Sequence, residues 1–91
     1  MFSTRSLLAD LREAMRRFEH QLDTCRFQLR TVANEQAIRA LRDRLETVRE
    51  GCDRLEAAAS EDLPTLWRLA SSLEAMEQEL GRLRRQATRP R

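Results

Sequence analysis

An all-α fold, an antiparallel three-helix bundle or coiled-coil hairpin with heptad seams, is what this sequence predicts, and three observations predict it. Apolar side chains recur in alternating steps of three and four residues along almost the whole chain. That spacing lines one face of a helix and marks helices packed along a narrow seam. Only two glycines and two prolines are present, which leaves little material for turns or sheets. The seam is also interrupted twice, by a slip in register between Val32 and Ile38 and by Ser60-Glu61-Asp62 ahead of Pro64. Two interruptions divide the chain into three helices.

The first helix is expected over about residues 4–32, with a seam of Leu8, Leu11, Met15, Phe18, Leu22, Cys25, Leu29 and Val32. Thr4 or Ser6 can supply the N-cap oxygen, and Asp10 falls early enough to favour the helix dipole. Arg26 and Arg30 stand near its end, where cations are favoured. A turn is placed near Asn34, which with Glu35 and Gln36 reads as a cap and acidic first turn. No Gly or Pro marks that turn, so a continuous helix with a local discontinuity is the alternative.

The second helix is expected over about residues 35–59, on Ile38, Leu41, Leu45, Val48, Cys52, Leu55 and Ala59. Gly51 costs roughly 1 kcal/mol relative to Ala in a helix interior. The heptads pass through it unchanged, so the helix is kept intact and Gly51 is read as a small residue at a tight crossing. Ending the helix there is the alternative. The third helix is expected over about residues 63–86, on Leu66, Leu69, Leu73, Met76, Leu80, Leu83 and Ala87, with residues 87–91 as a frayed basic tail. Pro64 suits a first turn, where its missing N–H has no intrahelical partner. The seam register runs on across Asp62, as it would in a kinked unbroken helix, but proline inside a helix costs ~3 kcal/mol or more. A turn is therefore favoured. Short connections make sequential helices antiparallel. Leu7, Ala14, Ala37, Ala58 and Ala70 broaden the seam, which suits three or four helices rather than two.

The chain is a single small domain spanning residues 1–91. Aromatic residues are 4% and charged residues 35%, lean for a globular core and ordinary for coiled-coil segments. All seventeen basic residues are arginine, which fits codon bias in a GC-rich genome more readily than selection for phosphate forks. Fifteen acids interleave with them, which argues against a nucleic-acid protein. Residues 1–6 could open a mitochondrial presequence, but Asp10, Glu13 and Glu19 follow closely and the first heptads lie there. The stretch is read as mature structure. No run approaches the ~20 apolar residues that cross a bilayer, and no secretory hydrophobic region is present. The expected location is the cytoplasm.

Catalytic chemistry finds no purchase in the sequence. Cys25 and Cys52 sit on seams, and a turn near Asn34 sets them roughly nine residues apart along the bundle, about 13 Å at helical rise. A disulfide needs Cα atoms within ~7 Å, so the thiols are read as buried small hydrophobes. A symmetric bridge between two copies is the alternative. His20 is the sole histidine and falls on an outer face, with no second His or Cys to complete a metal site or a nucleophile–base pair. Lysine, tyrosine and glycine-rich loops are lacking. Carboxylate pairs such as Glu74/Glu77 or Glu77/Glu79 are read as solvated helix charges. No enzyme activity, cofactor, metal or small-molecule substrate is expected.

Residues off the seam carry the functional reading. Counting Leu8 as heptad position a, Phe27 falls at f and Trp67 at b, while Phe2 precedes the first helix. All three are candidate partner-binding residues, since aromatic side chains contribute disproportionately at interfaces. The e positions hold Arg12, Glu19, Arg26, Arg42, Arg49 and Glu56, charges that set pairing either within one chain or between chains. Arg82, Arg84, Arg85, Arg89 and Arg91 form a possible anion-binding cluster, although complementing the helix dipole explains them as well. No aromatic is interleaved to stack on bases. The leading expectation is a non-enzymatic interaction module: a small helical adaptor, assembly subunit or partner-stabilising chaperone, acting on a protein partner or as a homo-oligomer. In size and hairpin character the chain is similar to small co-chaperones of bacterial secretion systems, a likeness of composition that rests on no motif. The alternative is a helical protein that binds nucleic acid or an anionic surface through the C-terminal arginines.

Overall fold

The computed structural model describes residues 3–28, 31–58 and 61–87, apart from the side chains of Phe27, Gln28 and Ala87. Three helices make up the fold: α1 (Thr4–Gln28), α2 (Val32–Ala58) and α3 (Leu63–Ala87). Every pair of helices is in contact, which makes a three-helix bundle of 50 × 23 × 18 Å.

One device starts all three helices. The residue before each, Ser3, Thr31 or Asp62, accepts a side-chain hydrogen bond from the backbone N–H three positions on: Ser6 at 3.1 Å, Asn34 at 3.2 Å and Thr65 at 3.1 Å. Each supplies an oxygen to one of the four N–H groups that a helix leaves without a partner. Two sequence expectations are corrected here. The first cap is Ser3, not Thr4 or Ser6, and Asp10 then stands beyond the first turn, where the dipole has little reach. The second cap is Thr31, not Asn34, so α1 ends at Gln28 rather than near residue 32 and α2 begins at Val32 rather than Glu35. The turn falls three residues earlier because the Thr31 hydroxyl bonds the Asn34 N–H and its carbonyl receives the Glu35 N–H at 2.9 Å. Val32 is consequently the first residue of α2 and 71% exposed, not a seam residue of the first helix. The apparent slip between Val32 and Ile38 is the trace of that turn.

The third start follows expectation. Asp62 caps α3, and Pro64 lies in its first turn. Thr65 answers the cap by donating its hydroxyl to the second Asp62 oxygen at 2.6 Å. The two Thr65 bonds, the side-chain one foremost, hold the Asp62 carboxyl below its ordinary range.

Among the described residues fifteen side chains are buried, and each was a predicted seam residue. Phe18, Leu22, Leu41, Leu45, Met76, Leu80, Cys25 and Cys52 are the largest of those sealed off completely. Leu8, Leu69 and Leu83 are half-buried against the same cluster. Leu7, Ala14 and Ala70 broaden it as expected, whereas Ala58 is exposed. Leu29 and Ala59 lie outside the described residues.

Helix directions follow from who meets whom. As α1 advances from Arg12 through Met15 and Glu19 to Asp23, its α2 partners retreat from Glu56 and Asp53 through Cys52 and Arg49 to Arg42. The two helices are antiparallel. The same holds for α2 and α3, where Arg44 meets Glu79 at 2.8 Å and Gly51 meets Leu69. α1 and α3 are therefore parallel, with both N-termini at one end. Gly51 leaves α2 unbroken, and the reason for it is spatial: a Cβ there would stand 2.7 Å from Leu69 Cδ2.

Two measurements check this account. Gly51→Ala is expected to stay within about 1 kcal/mol of wild type in urea unfolding, because the gain in helix propensity offsets the shift of the half-buried Leu69 tip. Gly51→Leu is expected to lose about 1–3 kcal/mol, because the helices must part. Asp62→Ala is expected to lower the melting temperature at pH 7. A carboxyl with a lowered folded pKa stabilises fully above its unfolded value and loses that contribution as pH falls through the folded one. The melting curves of wild type and variant should thus converge below about pH 4.

Candidate docking surface

The bundle's three grooves are finished differently. Between α1 and α2, Arg12 reaches Asp53 at 2.9 Å and also Glu56, Arg49 reaches Glu19 at 3.0 Å, and Arg42 reaches Asp23 at 2.8 Å. Five of the six charged e positions of the first two helices, all but Arg26, are thus engaged within the chain. Bonding to Asp53, and then to Glu56, raises the already high Arg12 pKa further despite partial burial. Such exposed pairs contribute ~0.2–1 kcal/mol each, and here they lie in a row that fixes how α1 faces α2. The α2–α3 groove has Arg44–Glu79 and the close approach at Gly51.

Between α1 and α3 the finish is apolar. A groove of about 250 Å³ runs along the shared N-terminal end of the two helices. Leu11, Leu66 and Leu73 belong to the buried core beneath it, and Leu7, Ala14 and Ala70 form its half-buried walls. Trp67 stands over it, 61% exposed, and Leu63 lies one helical turn away on the same face of α3, 42% exposed. Asp10, Glu74 and Glu77 line the groove and are exposed.

Of the aromatic residues singled out in the sequence, Trp67 is therefore at a groove. Phe2 lies outside the described residues. Phe27 lies on α1, but its side chain is likewise outside the description. Arg82, Arg84 and Arg85 are exposed on the last turns of α3, and Arg89 and Arg91 lie outside the described residues. Arg82 and Arg85 border a second shallow depression that Glu74 and Glu77 also line. His20 is exposed. Among the described residues no group of three His, Cys, Asp or Glu is placed to hold a metal ion, and no helix is long and apolar enough to cross a membrane.

Asp10, Glu74 and Glu77 line the groove, though in the sequence they read only as helix-dipole or solvated charges, and Leu63 beside the groove was given no role. A signal for Leu63 was present. In α3 the e positions are Leu63, Ala70 and then Glu77, whereas in α1 and α2 they carry arginine or glutamate. An apolar e position widens a seam on one side. The carboxylates give no sign in the sequence that sets them apart from solvated helix charges.

Both cysteines are free and buried in the core, and Cys52 Sγ lies 3.8 Å from Met15 Sδ. Burial pushes the Cys52 thiol pKa up, outweighing the opposing pull of Arg12. The thiolate is the reactive form, so this sulfur is inert while the bundle is closed. Comparison with protein-family models, curated proteins and solved structures returns no match.

Thiol titration checks the packing. Both cysteines should resist an aromatic disulfide reagent in the native state and react together in denaturant, and a non-reducing gel should show no cross-linked dimer. Rapid native labelling of two thiols would contradict the closed core.

Proposed function

We infer that this protein is a non-enzymatic interaction module, a small helical adaptor, assembly subunit or partner-stabilising chaperone that docks a protein partner on its α1/α3 face. The exposed Trp67 above an apolar groove carries the reading. Scattered exposed apolar residues are ordinary, but Trp67, Leu63, Leu7, Ala14 and Ala70 adjoin one another over core leucines. Tryptophan is among the residues that dominate binding energy where it enters a partner's pocket or receives a partner's side chain. A groove between two helices suits an added helix, laid in through anchors at three- and four-residue spacing. Two unpaired cysteines fit work in a reducing compartment such as the cytoplasm.

The basic end of α3 supports an anion-binding role less well. Arg82 and Arg85 share their depression with Glu74 and Glu77. Those carboxylates repel a phosphate backbone at the point where the arginines would hold it.

Two experiments test the docking face. Trp67→Ala should change unfolding free energy by less than about 1 kcal/mol, as befits an exposed side chain. Phe18→Ala, from the sealed core, should cost about 3–5 kcal/mol. A photo-crosslinking amino acid at position 67 should capture a discrete protein in the cell of origin, while the same group at Asp43 on α2 should not. Equal labelling from both positions would remove the proposal.

A further inference from the structure

We propose that the occupant of the α1/α3 groove is a cationic amphipathic helix, with apolar anchors facing the groove and Lys or Arg along its flanks. This rests on the docking reading above and adds the chemistry of the partner. The argument is one of charge left over. Eight ion pairs engage eight different carboxylates of the fifteen in the chain. Glu35, Glu61 and Asp62 stand at or just before helix starts, where backbone N–H groups and the dipole favour a carboxylate. Four acids remain. One of them, Asp43, lies away from the groove. The other three are Asp10, Glu74 and Glu77, and all three rim it.

None of these three makes an ion pair or hydrogen bond among the described residues. Within the groove lining these three are the charged side chains, and all are negative; Arg82 and Arg85 stand beyond it, in the depression on the other side of Glu74 and Glu77. An acidic flank would meet repulsion from both walls, and a basic flank would meet attraction from both. The usable length is also set. From Leu66 to Glu77 the groove wall is eleven steps of α3, about 17 Å at 1.5 Å per residue. A partner helix of about three turns fills it, with anchors at i, i+4 and i+7.

Trp67 reports occupancy directly, because it is the only tryptophan and the chain has no tyrosine. The probe is a fourteen-residue helical peptide free of aromatic residues, with leucines at i, i+4 and i+7 and lysines on both flanks. Its counterpart carries glutamates in place of the lysines. Titration of the lysine peptide should give a saturable blue shift of Trp67 emission that weakens as salt rises. The glutamate peptide should give none, and a lysine peptide with serines in place of leucines should give none. In the triple variant D10N/E74Q/E77Q, which breaks no ion pair of the fold, affinity for the lysine peptide should fall at least tenfold, with the helical circular dichroism unchanged.

Equal binding of both leucine peptides, or unchanged affinity in the triple variant, would overturn the cationic partner while leaving Trp67 as a docking residue. Emission that is already blue in the free protein and moves red on dilution, with a two-chain mass by light scattering, would assign the groove to a second copy and overturn the proposal. A monomer that binds neither leucine peptide would overturn it too. In that case the crosslink at position 67 still decides separately whether the face docks anything.

Discussion

Three apolar stripes close on one another along an axis of 50 Å, and in a body only 23 by 18 Å across they make a core one side chain deep. Everything else in the molecule depends on that closure. Each large side chain sealed in it, such as Phe18, Leu22 or Met76, contributes about 1.5–3 kcal/mol relative to exposure. No polar or charged residue is buried alongside them among the described residues. A core without polar groups binds helices together but says little about how they are aligned, because leucine against leucine tolerates sliding and rotation. Alignment in such a thin bundle has to come from its edges.

The edges supply it at defined places. Helix starts are set by Ser3, Thr31 and Asp62, each satisfying the N–H three residues on. The facing of α1 and α2 is set by the row from Arg12 to Asp23, and the approach of α2 to α3 by the missing side chain at Gly51. The pair α1 and α3 has no comparable row. With short turns joining consecutive helices, these two are forced to run parallel. Carboxylates from both, Asp10 on one and Glu74 and Glu77 on the other, then rim one groove, and among the described residues none of them forms an ion pair. Ion pairs thus tie α2 to both of its neighbours, and the α1/α3 side is finished by apolar side chains instead.

Sequence periodicity carried the core because a narrow stripe is a local property: step counting finds which face each residue occupies, and every buried side chain was found that way. Asp62 and Pro64 were legible for the same reason, since a cap and a first-turn proline act within four residues. The first helix was placed at its start, Thr4, with only its cap misassigned among Ser3, Thr4 and Ser6, whereas the second was placed three residues late because nothing local ranks Thr31 above Asn34. The choice falls to the residue whose following seam positions, Ile38 and Leu41, reach the core. Trp67 stood out as an aromatic beside the seam. What made its surroundings a groove did not, because the pairing of charges depends on which helix lies opposite. Glu19 and Glu74 look alike along the chain, yet one pairs with Arg49 and the other forms no ion pair among the described residues.

That contrast bears on why the α1/α3 side stays open. The chain is rich in arginine, with seventeen against fifteen acids. A side-chain change at one or two positions near Ala14 or Ala70 would place a cation beside Glu74 or Asp10 and close this groove as the α1/α2 groove is closed. Instead both wall positions are alanine, too small to fill the space above the buried Leu66 and Leu73. Leu63 and Trp67 enlarge the apolar surface at the e and b positions that charged residues take in the other helices. A groove with small walls, a large aromatic at its edge and unmatched charge around it has the cross-section of a four-helix bundle from which one helix has been taken away. Completing that bundle with an added helix is the role we propose for this surface.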